Sequence, residues 1–286
     1  MRWFIFGACR RGAACAITSQ VMGHGALHSE TIGDALRAWR KERGMSQLRL
    51  ATQAEVSTRH LSYVETGRAQ ASRELLLVLF SVLELPLRER NVLLQRAGYA
   101  TAYGDAGLDD PAMAKVRDAV EFLLEAHEPN PVVVFDRHWR LQLLNRAARR
   151  LFEQVLGPVE PGADVLELVL SPKYLRKYIV NFDQVAGAIL SRVIEESRQD
   201  RELKQRLERL EQWMPTSFSG PALGEVPDVL VPLRLAYQGL ELALFTTLTT
   251  LGTPTDATAQ ELRIETYFPA DEPTKRVLEM LAAAEG

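Results

Sequence analysis

The feature that most constrains this chain is a run of five short helical segments in its first third, each with its own start and stop signal. The first segment shows apolar residues at helical spacing and ends at Gly44. Ser46, Ser57 and Ser72 each precede a further segment and are typical N-cap residues. The pattern predicts an all-α domain of five helices over residues 29–100.

Two of these segments, residues 47–53 and 58–65, have the spacing of a helix-turn-helix, whose second helix exposes its N-terminal half. Ala51 is small enough to let the second helix approach the first. Leu61 and Val64 lie three residues apart and are predicted to point inward. The outward face then carries Thr58, Arg59, Ser62 and Tyr63.

The outward face of the second helix predicts contacts with base edges in the major groove of DNA. Arg59 is the strongest candidate for base recognition, because a guanidinium can bond guanine through two parallel hydrogen bonds. Charge along the chain supports this reading. The first 100 residues carry fourteen Lys and Arg against eight Asp and Glu, whereas the remainder carries twenty against twenty-nine. A basic front and an acidic back indicate that only the front meets a polyanion.

This region resembles the Cro/phage-repressor (XRE) family of helix-turn-helix regulators. That resemblance implies a DNA-phosphate contact for Gln47, at the start of the second helix, and a backbone contact for Arg68. It also implies that Arg40 pairs with Glu65 as internal support rather than as a DNA contact. The segments that carry the resemblance are residues 36–47 (LRAWRKERGMSQ), 50–51 (LA), 56–57 (VS) and 61–68 (LSYVETGR).

One position departs from the family pattern. Glu55 stands at a turn position where the family usually has Gly, and where a left-handed backbone is needed. A non-Gly residue in that conformation costs on the order of 1 kcal/mol, which a well-packed domain tolerates.

Residues 101–111 contain Gly, Asp and Pro with almost no apolar periodicity, so they are predicted to be a linker. The remainder, residues 112–286, is predicted to form an α/β domain with an antiparallel sheet covered by helices. Residues 238–239 (QG) are predicted to form a hairpin turn. The predicted strands are residues 131–135, 139–144, 228–237 and 240–250, with helices dominating between residues 145 and 214.

The second domain opens with a strand, a turn, a strand and a helix, an order that is similar to the opening of PAS sensor domains. Four segments carry a more specific resemblance: residues 87–99 (LRERNVLLQRAGY), 180–183 (VNFD), 246–254 (TTLTTLGTP) and 261–271 (ELRIETYFPAD). Through them, the chain from about residue 87 onward resembles the MmyB-like regulators. The resemblance implies a PAS-like ligand-binding and dimerisation domain, for a fatty-acid-like or other amphiphilic molecule, in a homodimer. The family has Trp where Phe182 stands, which is a mild change.

Candidate ligand contacts in this domain rest on general chemistry. Phe135 and Leu244 are apolar strand residues suited to line a pocket, although such residues more often belong to the plain core. Arg176, Tyr178 and Arg263 are candidates to anchor a carboxylate, although long charged side chains usually lie on the surface.

Several classes of function are disfavoured by what the sequence lacks. Both cysteines, Cys9 and Cys15, lie near the start, which suits a reducing cytosol and leaves no disulfide framework or Cys-based metal cluster. No nucleophile elbow, phosphate-binding Gly loop or His/carboxylate metal cluster is recognisable, so we expect no enzyme activity, no metal and no tightly held cofactor. Residues 1–28 are interpreted as a flexible tail or a mis-assigned start, and no membrane association is expected.

The sequence therefore predicts a cytoplasmic regulator that binds a DNA operator as a homodimer and responds to a small amphiphile. Two alternatives remain open. The first is a constitutive DNA-binding repressor whose C-terminal domain only dimerises. The second is an antitoxin-like protein whose C-terminal domain recruits a protein partner.

Overall fold

A computed structural model describes residues 31–198, 200–215, 217–218, 231–252 and 254–283. The predicted tail, residues 1–28, and the first residues of the predicted strand 228–237 lie outside the described residues. Within them the chain divides into two compact units. The helical unit comprises the described residues of 31–119 and 250–262, and the sheet unit comprises the described residues of 120–249 and 263–283.

The helical unit is built on five helices, as the sequence predicts. Side-chain oxygens of Thr31, Ser46, Ser57 and Ser72 each accept a hydrogen bond from a backbone N–H in the first turn of the helix that follows. The helices are α1 (Ile32–Glu42), α2 (Gln47–Gln53), α3 (Thr58–Glu65), α4 (Arg73–Val82) and α5 (Leu87–Arg96).

The core of the helical unit consists of apolar side chains from all five helices. Gly33 explains how closely α1 approaches the end of α3, because a Cβ at this position would lie 2.4 Å from the carbonyl oxygen of Val64. The largest fully buried side chains are Leu36, Trp39, Leu50, Leu61, Leu76, Leu79, Phe80, Leu83, Leu85 and Leu94.

The sheet unit contains an antiparallel five-stranded sheet covered by helices, so the predicted α/β PAS-like class is confirmed. Helix α6 (Ala114–Ala126) precedes the first strand. The strands are β1 (Val132–Phe135), β2 (Leu141–Leu144), β3 (Leu233–Tyr237), β4 (Leu240–Thr249) and β5 (Arg263–Pro269), in the order β2-β1-β5-β4-β3. The remaining helices are α7 (Arg146–Leu156), α8 (Val165–Leu170), α9 (Phe182–Ser197), α10 (Arg201–Trp213), α11 (Ala257–Glu261) and α12 (Glu272–Ala283).

Two turns shape the sheet. Gln238 and Gly239 both have positive φ, as a two-residue hairpin of the type favoured by strand twist requires, so the predicted turn is confirmed. The predicted strand 139–144 is shorter than expected. Trp139 has a φ of 59°, which a strand residue cannot adopt, and β2 therefore begins only at Leu141.

Asn145 fastens the beginning of α7 to the sheet. Its Oδ1 accepts hydrogen bonds from the backbone N–H of Ala148, as a helix cap, and from that of Val132 in β1. Its Nδ2 donates to the carbonyl of Asn130 at 2.8 Å. The Asn145 side chain therefore caps α7 and also joins it to β1 and to the backbone at Asn130.

Candidate functional site

The outward face of α3 is the first candidate site, and the helix-turn-helix positions it. Glu55, in the turn before α3, has a φ of 55°, so the left-handed conformation expected at this non-Gly residue is present. Leu61 and Val64 are buried, whereas Arg59 is exposed. Thr58, Ser62 and Tyr63 are partly exposed and share the outward face with Arg59.

Arg59 and Tyr63 lie one turn apart on α3 and contact each other. The Arg59 Nε donates to the Tyr63 hydroxyl at 3.0 Å, and the guanidinium carbon lies 5.4 Å from the centre of the Tyr63 ring. This contact uses only part of the guanidinium, which carries five N–H donors in all. The Tyr63 ring therefore restricts where the Arg59 head group can go without using up its capacity to donate.

Behind this face, Arg40 of α1 and Glu65 of α3 form a buried bidentate ion pair. Arg40 Nε lies 2.6 Å from Glu65 Oε1, and Arg40 Nη2 lies 2.8 Å from Oε2. Burial alone would raise the pKa of Glu65, yet hydrogen bonds from Arg40 and Gln47 hold that pKa below its ordinary value. The structure thus brings together the two residues that the resemblance pairs, and both are shielded from solvent.

Sequence reasoning missed Arg37 as a further member of this network. Its Nη2 donates to the backbone carbonyl of Glu65 at 3.0 Å, and its Nε lies 3.8 Å from the Glu65 carboxylate. Arg37 precedes Arg40 by three residues, so both lie on one face of α1. That spacing was the available signal.

Gln47 and Arg68, for which the resemblance implies contacts with the DNA backbone, differ in their surroundings. Gln47, the first residue of α2, donates from Nε2 to Glu65 at 2.8 Å. A side-chain amide nitrogen carries two hydrogens, so one N–H remains for another acceptor. Arg68 is exposed and follows Gly67, whose φ is 71°.

The second candidate site is a cavity of about 200 Å³ between the sheet and helices α8 and α9, which we call the central cavity. Most of its wall is apolar and comes from residues such as Val165, Val185, Ile189 and Leu233. Its remaining lining residues are Trp139, Val169, Leu175, Ala188, Arg192, Val231, Thr246, Glu265 and Tyr267.

The five ligand contacts suggested by the sequence do not line the central cavity. Phe135 and Leu244 are fully buried in the core, and the Phe135 ring stacks on Trp139 with 5.0 Å between ring centres. Arg176 lies over the ring of Phe182 and donates to a backbone carbonyl. The other two side chains lie elsewhere in the sheet unit: Tyr178 lines a smaller cavity of about 70 Å³, and Arg263 stands opposite Phe135 in the β1–β5 ladder.

Two negative findings apply to the described residues. No helix among them is long and apolar enough to cross a membrane. Within the same residues, no cluster of three or more His, Cys, Asp or Glu side chains is arranged to hold a metal ion.

Comparison with known families defines the class of protein. Residues 31–93 match a helix-turn-helix domain family. Residues 116–281 match the MmyB-like transcription regulator ligand binding domain, which spans more than half of the chain. The chain belongs to the MmyB-like transcription regulators, and it is a DNA-binding transcription regulator with a ligand-binding domain.

Similarity to individual proteins covers different shares of the chain. The transcriptional regulator ClgR of Mycobacterium tuberculosis, in strains CDC 1551 / Oshkosh and H37Rv, is 36% identical over 88 residues, which are 28% of this chain and 79% of ClgR. Among solved structures, the PAS domain of Bordetella pertussis BvgS is 15% identical with a TM-score of 0.27, covering 59% of this chain and 98% of that one. An RNA-binding light-oxygen-voltage receptor is 16% identical with a TM-score of 0.28, covering 96% of this chain and 66% of that one.

Proposed function

We propose that this regulator is a cytoplasmic homodimer that reads an operator through Thr58, Arg59, Ser62 and Tyr63, and that a small amphiphile in the central cavity controls its binding. The observation that carries the DNA-reading part is the exposed Arg59–Tyr63 pair on a helix braced from behind by Arg40 and Glu65. In a dimer, two such helices enter successive major grooves about 34 Å apart and read a near-palindromic operator.

Gln47 and Arg68 serve a different purpose in this proposal. The free N–H of Gln47 and the exposed head of Arg68 bond phosphate oxygens, which set the position of the protein on the duplex but carry no sequence information. The removal of a base contact and the removal of a phosphate contact are therefore expected to have different effects on DNA binding.

The first experiment compares Arg59→Ala with Gln47→Ala on an operator selected from a random DNA library. Arg59→Ala is expected to reduce discrimination between matched and mismatched sites by about tenfold to a hundredfold, because it removes a bidentate base contact worth ~1–3 kcal/mol. Gln47→Ala is expected to weaken binding to all sequences to a similar degree. Fluorescence anisotropy titrations at one fixed salt concentration measure both effects.

The matched control is Arg96→Ala, which removes the same charge from an exposed position on α5. It is expected to leave discrimination unchanged. If Arg59→Ala discriminates as well as the unaltered protein does, Arg59 is not the base-reading residue.

The segment between β4 and β5 supports the proposal that a ligand controls DNA binding. Residues 250–262 belong to the helical unit, yet they continue directly into two strands whose residues Thr246 and Glu265 line the central cavity. Within the helical unit, Glu261 of α11 forms a bidentate pair with Arg88 of α5, with Nε–Oε1 at 2.9 Å and Nη2–Oε2 at 3.0 Å. Gln260 accepts a hydrogen bond from the backbone N–H of Leu87 at 2.7 Å.

A ligand that displaces β4 or β5 therefore pulls on a segment anchored to the DNA-binding helices. Such coupling requires that the ligand bind one arrangement better than the other. The Arg88–Glu261 pair is the part of this connection that a single substitution removes most cleanly.

The second experiment measures operator affinity with and without octanoate, 1-octanol and octylamine, in the unaltered protein and in Glu261→Gln. A probe that binds is expected to change operator affinity by about five- to 150-fold in the unaltered protein. Glu261→Gln is expected to bind the probe equally well but to lose most of that change. Glu279→Gln, an exposed position on α12, is the matched control.

Two outcomes contradict the ligand-control proposal: probes that bind without changing operator affinity, and no probe binding at all. Either result, with DNA recognition intact, would favour a constitutive repressor. Native mass spectrometry of the same samples checks the proposed dimer and reports any bound small molecule.

A further inference from the structure

A second cavity of about 70 Å³ lies beside the central cavity in the sheet unit, and Leu175 lines both. We call this second space the smaller cavity. Among the described residues, Leu175 is the one that the two linings share. It begins the short helical turn Leu175–Tyr178 and is only 4% exposed. Its side chain therefore borders empty space on two sides.

The side chains on one face of β3 line both cavities in succession. Leu233 lines the central cavity, whereas Leu235 and Tyr237 line the smaller cavity. Alternate residues of a strand point to the same side, and their positions lie about 7 Å apart. The two cavities therefore follow one another along the same face of β3, and the boundary between them falls between Leu233 and Leu235.

Backbone contacts hold the segment that contains Leu175 at this boundary. Ile179, directly after the helical turn, pairs with Leu235 in an isolated antiparallel bridge. The backbone N–H of Val180 donates to the carbonyl of Arg234 in β3 at 2.9 Å. Because the backbone fixes the segment to β3, a substitution at Leu175 is expected to change the boundary without displacing the segment.

The smaller cavity is suited to hydrocarbon. Most of the side chains that line it are aliphatic. Its two tyrosine rings, Tyr178 and Tyr237, pack edge to face with 5.4 Å between ring centres. The Tyr237 hydroxyl donates to the backbone carbonyl of Gln154 at 3.3 Å, so this polar end already has a partner. An apolar chain could enter this space without burying an unsatisfied polar group.

The polar lining of the central cavity lies away from Leu175. It comes from α9, β4 and β5, whereas the Leu175 segment is bonded to β3, at the edge of the sheet. An amphiphile whose polar end lies among these polar side chains would have its hydrocarbon chain directed toward β3. The polar lining residues are Arg192, Thr246, Glu265 and Tyr267.

We propose that Leu175 limits the length of the hydrocarbon chain that the central cavity accepts, and that the smaller cavity takes the end of a longer chain once the Leu175 side chain is removed. This inference rests on the proposed function, in which the central cavity is the ligand site. It adds a residue that determines chain length, and it applies to any polar end.

The volumes of the two cavities set the expected limit. A cavity of about 150 Å³ holds the six carbons of benzene, so the 200 Å³ of the central cavity correspond to about eight carbon atoms. On the same scale the smaller cavity corresponds to about three more. Leu175→Ala also removes three carbon atoms from the boundary, so the joined space is expected to take a chain of about 14 carbons.

The first test titrates straight-chain alkanoates, from hexanoate to tetradecanoate in steps of two carbons, into the full-length protein. Isothermal calorimetry at pH 7 is used, with each probe below its micelle concentration. All probes share one carboxylate, so differences in affinity report on the chain. We expect affinity to rise by about fourfold per methylene, which corresponds to ~0.8 kcal/mol, up to about eight carbons and then to level off.

This chain-length profile needs no variant, so it stands even if a substitution in the cavity wall impairs folding. An affinity that keeps rising through tetradecanoate in the unaltered protein would show that Leu175 does not limit chain length.

The second test repeats the series with Leu175→Ala. We expect the rise to continue to about tetradecanoate, so that the affinity ratio of tetradecanoate to octanoate grows by at least about tenfold, which corresponds to ~1.4 kcal/mol. Leu235→Ala is the matched control, because Leu235 is also 4% exposed but lines only the smaller cavity. It removes the same atoms and leaves Leu175 in place, so it is expected to keep the profile of the unaltered protein.

The outcomes separate this inference from the proposed function. If the two leucine variants give the same profile while alkanoates still bind and change operator affinity, Leu175 does not limit chain length, and ligand control stands. If Leu175→Ala lengthens the accepted chain but no alkanoate changes operator affinity, the length limit holds and ligand control fails. If no alkanoate binds, the assignment of the central cavity as the ligand site fails, and this inference fails with it.

Discussion

Glu65 in the helical unit is buried and Glu265 in the sheet unit is partly buried, and their pKa values move in opposite directions. Burial raises the pKa of each. At Glu65, hydrogen bonds from Arg40 and Gln47 help to outweigh burial, whereas the charge of Arg192 and the hydroxyls of Thr246 and Tyr267 do not outweigh it at Glu265. In the helical unit, the Glu65 carboxylate is hydrogen-bonded to Arg40 and Gln47. In the sheet unit, Glu265 lines the central cavity. Under the proposed function, the first arrangement supports the face of α3 that contacts DNA, and the second lies beside the cavity that takes the ligand.

The largest expected difference between the two units is in the unfolding free energy that each loses when its glutamate is replaced by glutamine. Glu65→Gln removes the charge that balances buried Arg40, so we expect the helical unit to lose about 3–5 kcal/mol of unfolding free energy. Glu265→Gln removes a charge that burial disfavours, so we expect a change within ~1 kcal/mol. Hydrogen exchange of peptides from each unit during urea denaturation measures the two effects separately. Equal losses would show that Glu265 is as strongly paired as Glu65.

A smaller difference is expected between the stability costs of two Leu→Ala substitutions, one in each unit. Leu50→Ala in the tightly packed helical core is expected to cost about 2–5 kcal/mol, because the surrounding side chains relax only partly into the space left. Leu175→Ala, at the wall of the central cavity, is expected to cost less, because one side of Leu175 already borders empty space. Urea denaturation of the two variants makes the comparison. A cost at Leu175 that matches the one at Leu50 would argue against an open cavity in the folded protein.

The smallest effect concerns pH, and its sign differs between the units. The folded pKa of Glu65 lies below the ordinary value of 4.5, so its contribution to stability is complete above that value and is lost as pH falls through the folded pKa. The folded pKa of Glu265 lies above 4.5, so its contribution is complete below that value and is lost as pH rises through the folded pKa. Denaturation curves from pH 3 to pH 8 measure both trends.

Each glutamine variant serves as the control for its own trend. Glu65→Gln is expected to reduce the loss of unfolding free energy of the helical unit at low pH. Glu265→Gln is expected to reduce the loss of unfolding free energy of the sheet unit as the pH rises. If either pH dependence persists in its variant, another titratable group causes it.

The helix-turn-helix could be predicted closely because its signals are local. Serine caps, a glycine stop and the spacing of Leu61 and Val64 all act within one or two helical turns, and the helix bounds agree with them. The left-handed conformation at Glu55 was also expected, because the turn between two helices requires it. Arg37 was missed, since its partner Glu65 lies 28 positions further along the chain.

The ligand site could not be predicted to the same depth. Phe135, Leu244, Arg176, Tyr178 and Arg263 were chosen by residue type, and the cavity is lined by others. Residue type alone does not distinguish Leu244, which fills the core, from Leu233, which borders the cavity, because both are apolar strand residues. Three polar residues of the cavity lining, Thr246, Glu265 and Tyr267, come from two strands, and only the register of β4 and β5 brings them together.

By itself, the sequence determined the class of each domain, the five helices of the first, and the face of α3 that carries Arg59. These depend on contacts between residues close along the chain, and such contacts leave a periodic pattern. Only the tertiary structure decided that the pKa of Glu65 is lowered while that of Glu265 is raised, and that residues 250–262 belong with the DNA-binding helices. The physical reason is that burial and hydrogen bonding are set by groups far apart in sequence, so the same side chain acquires a different role in each place.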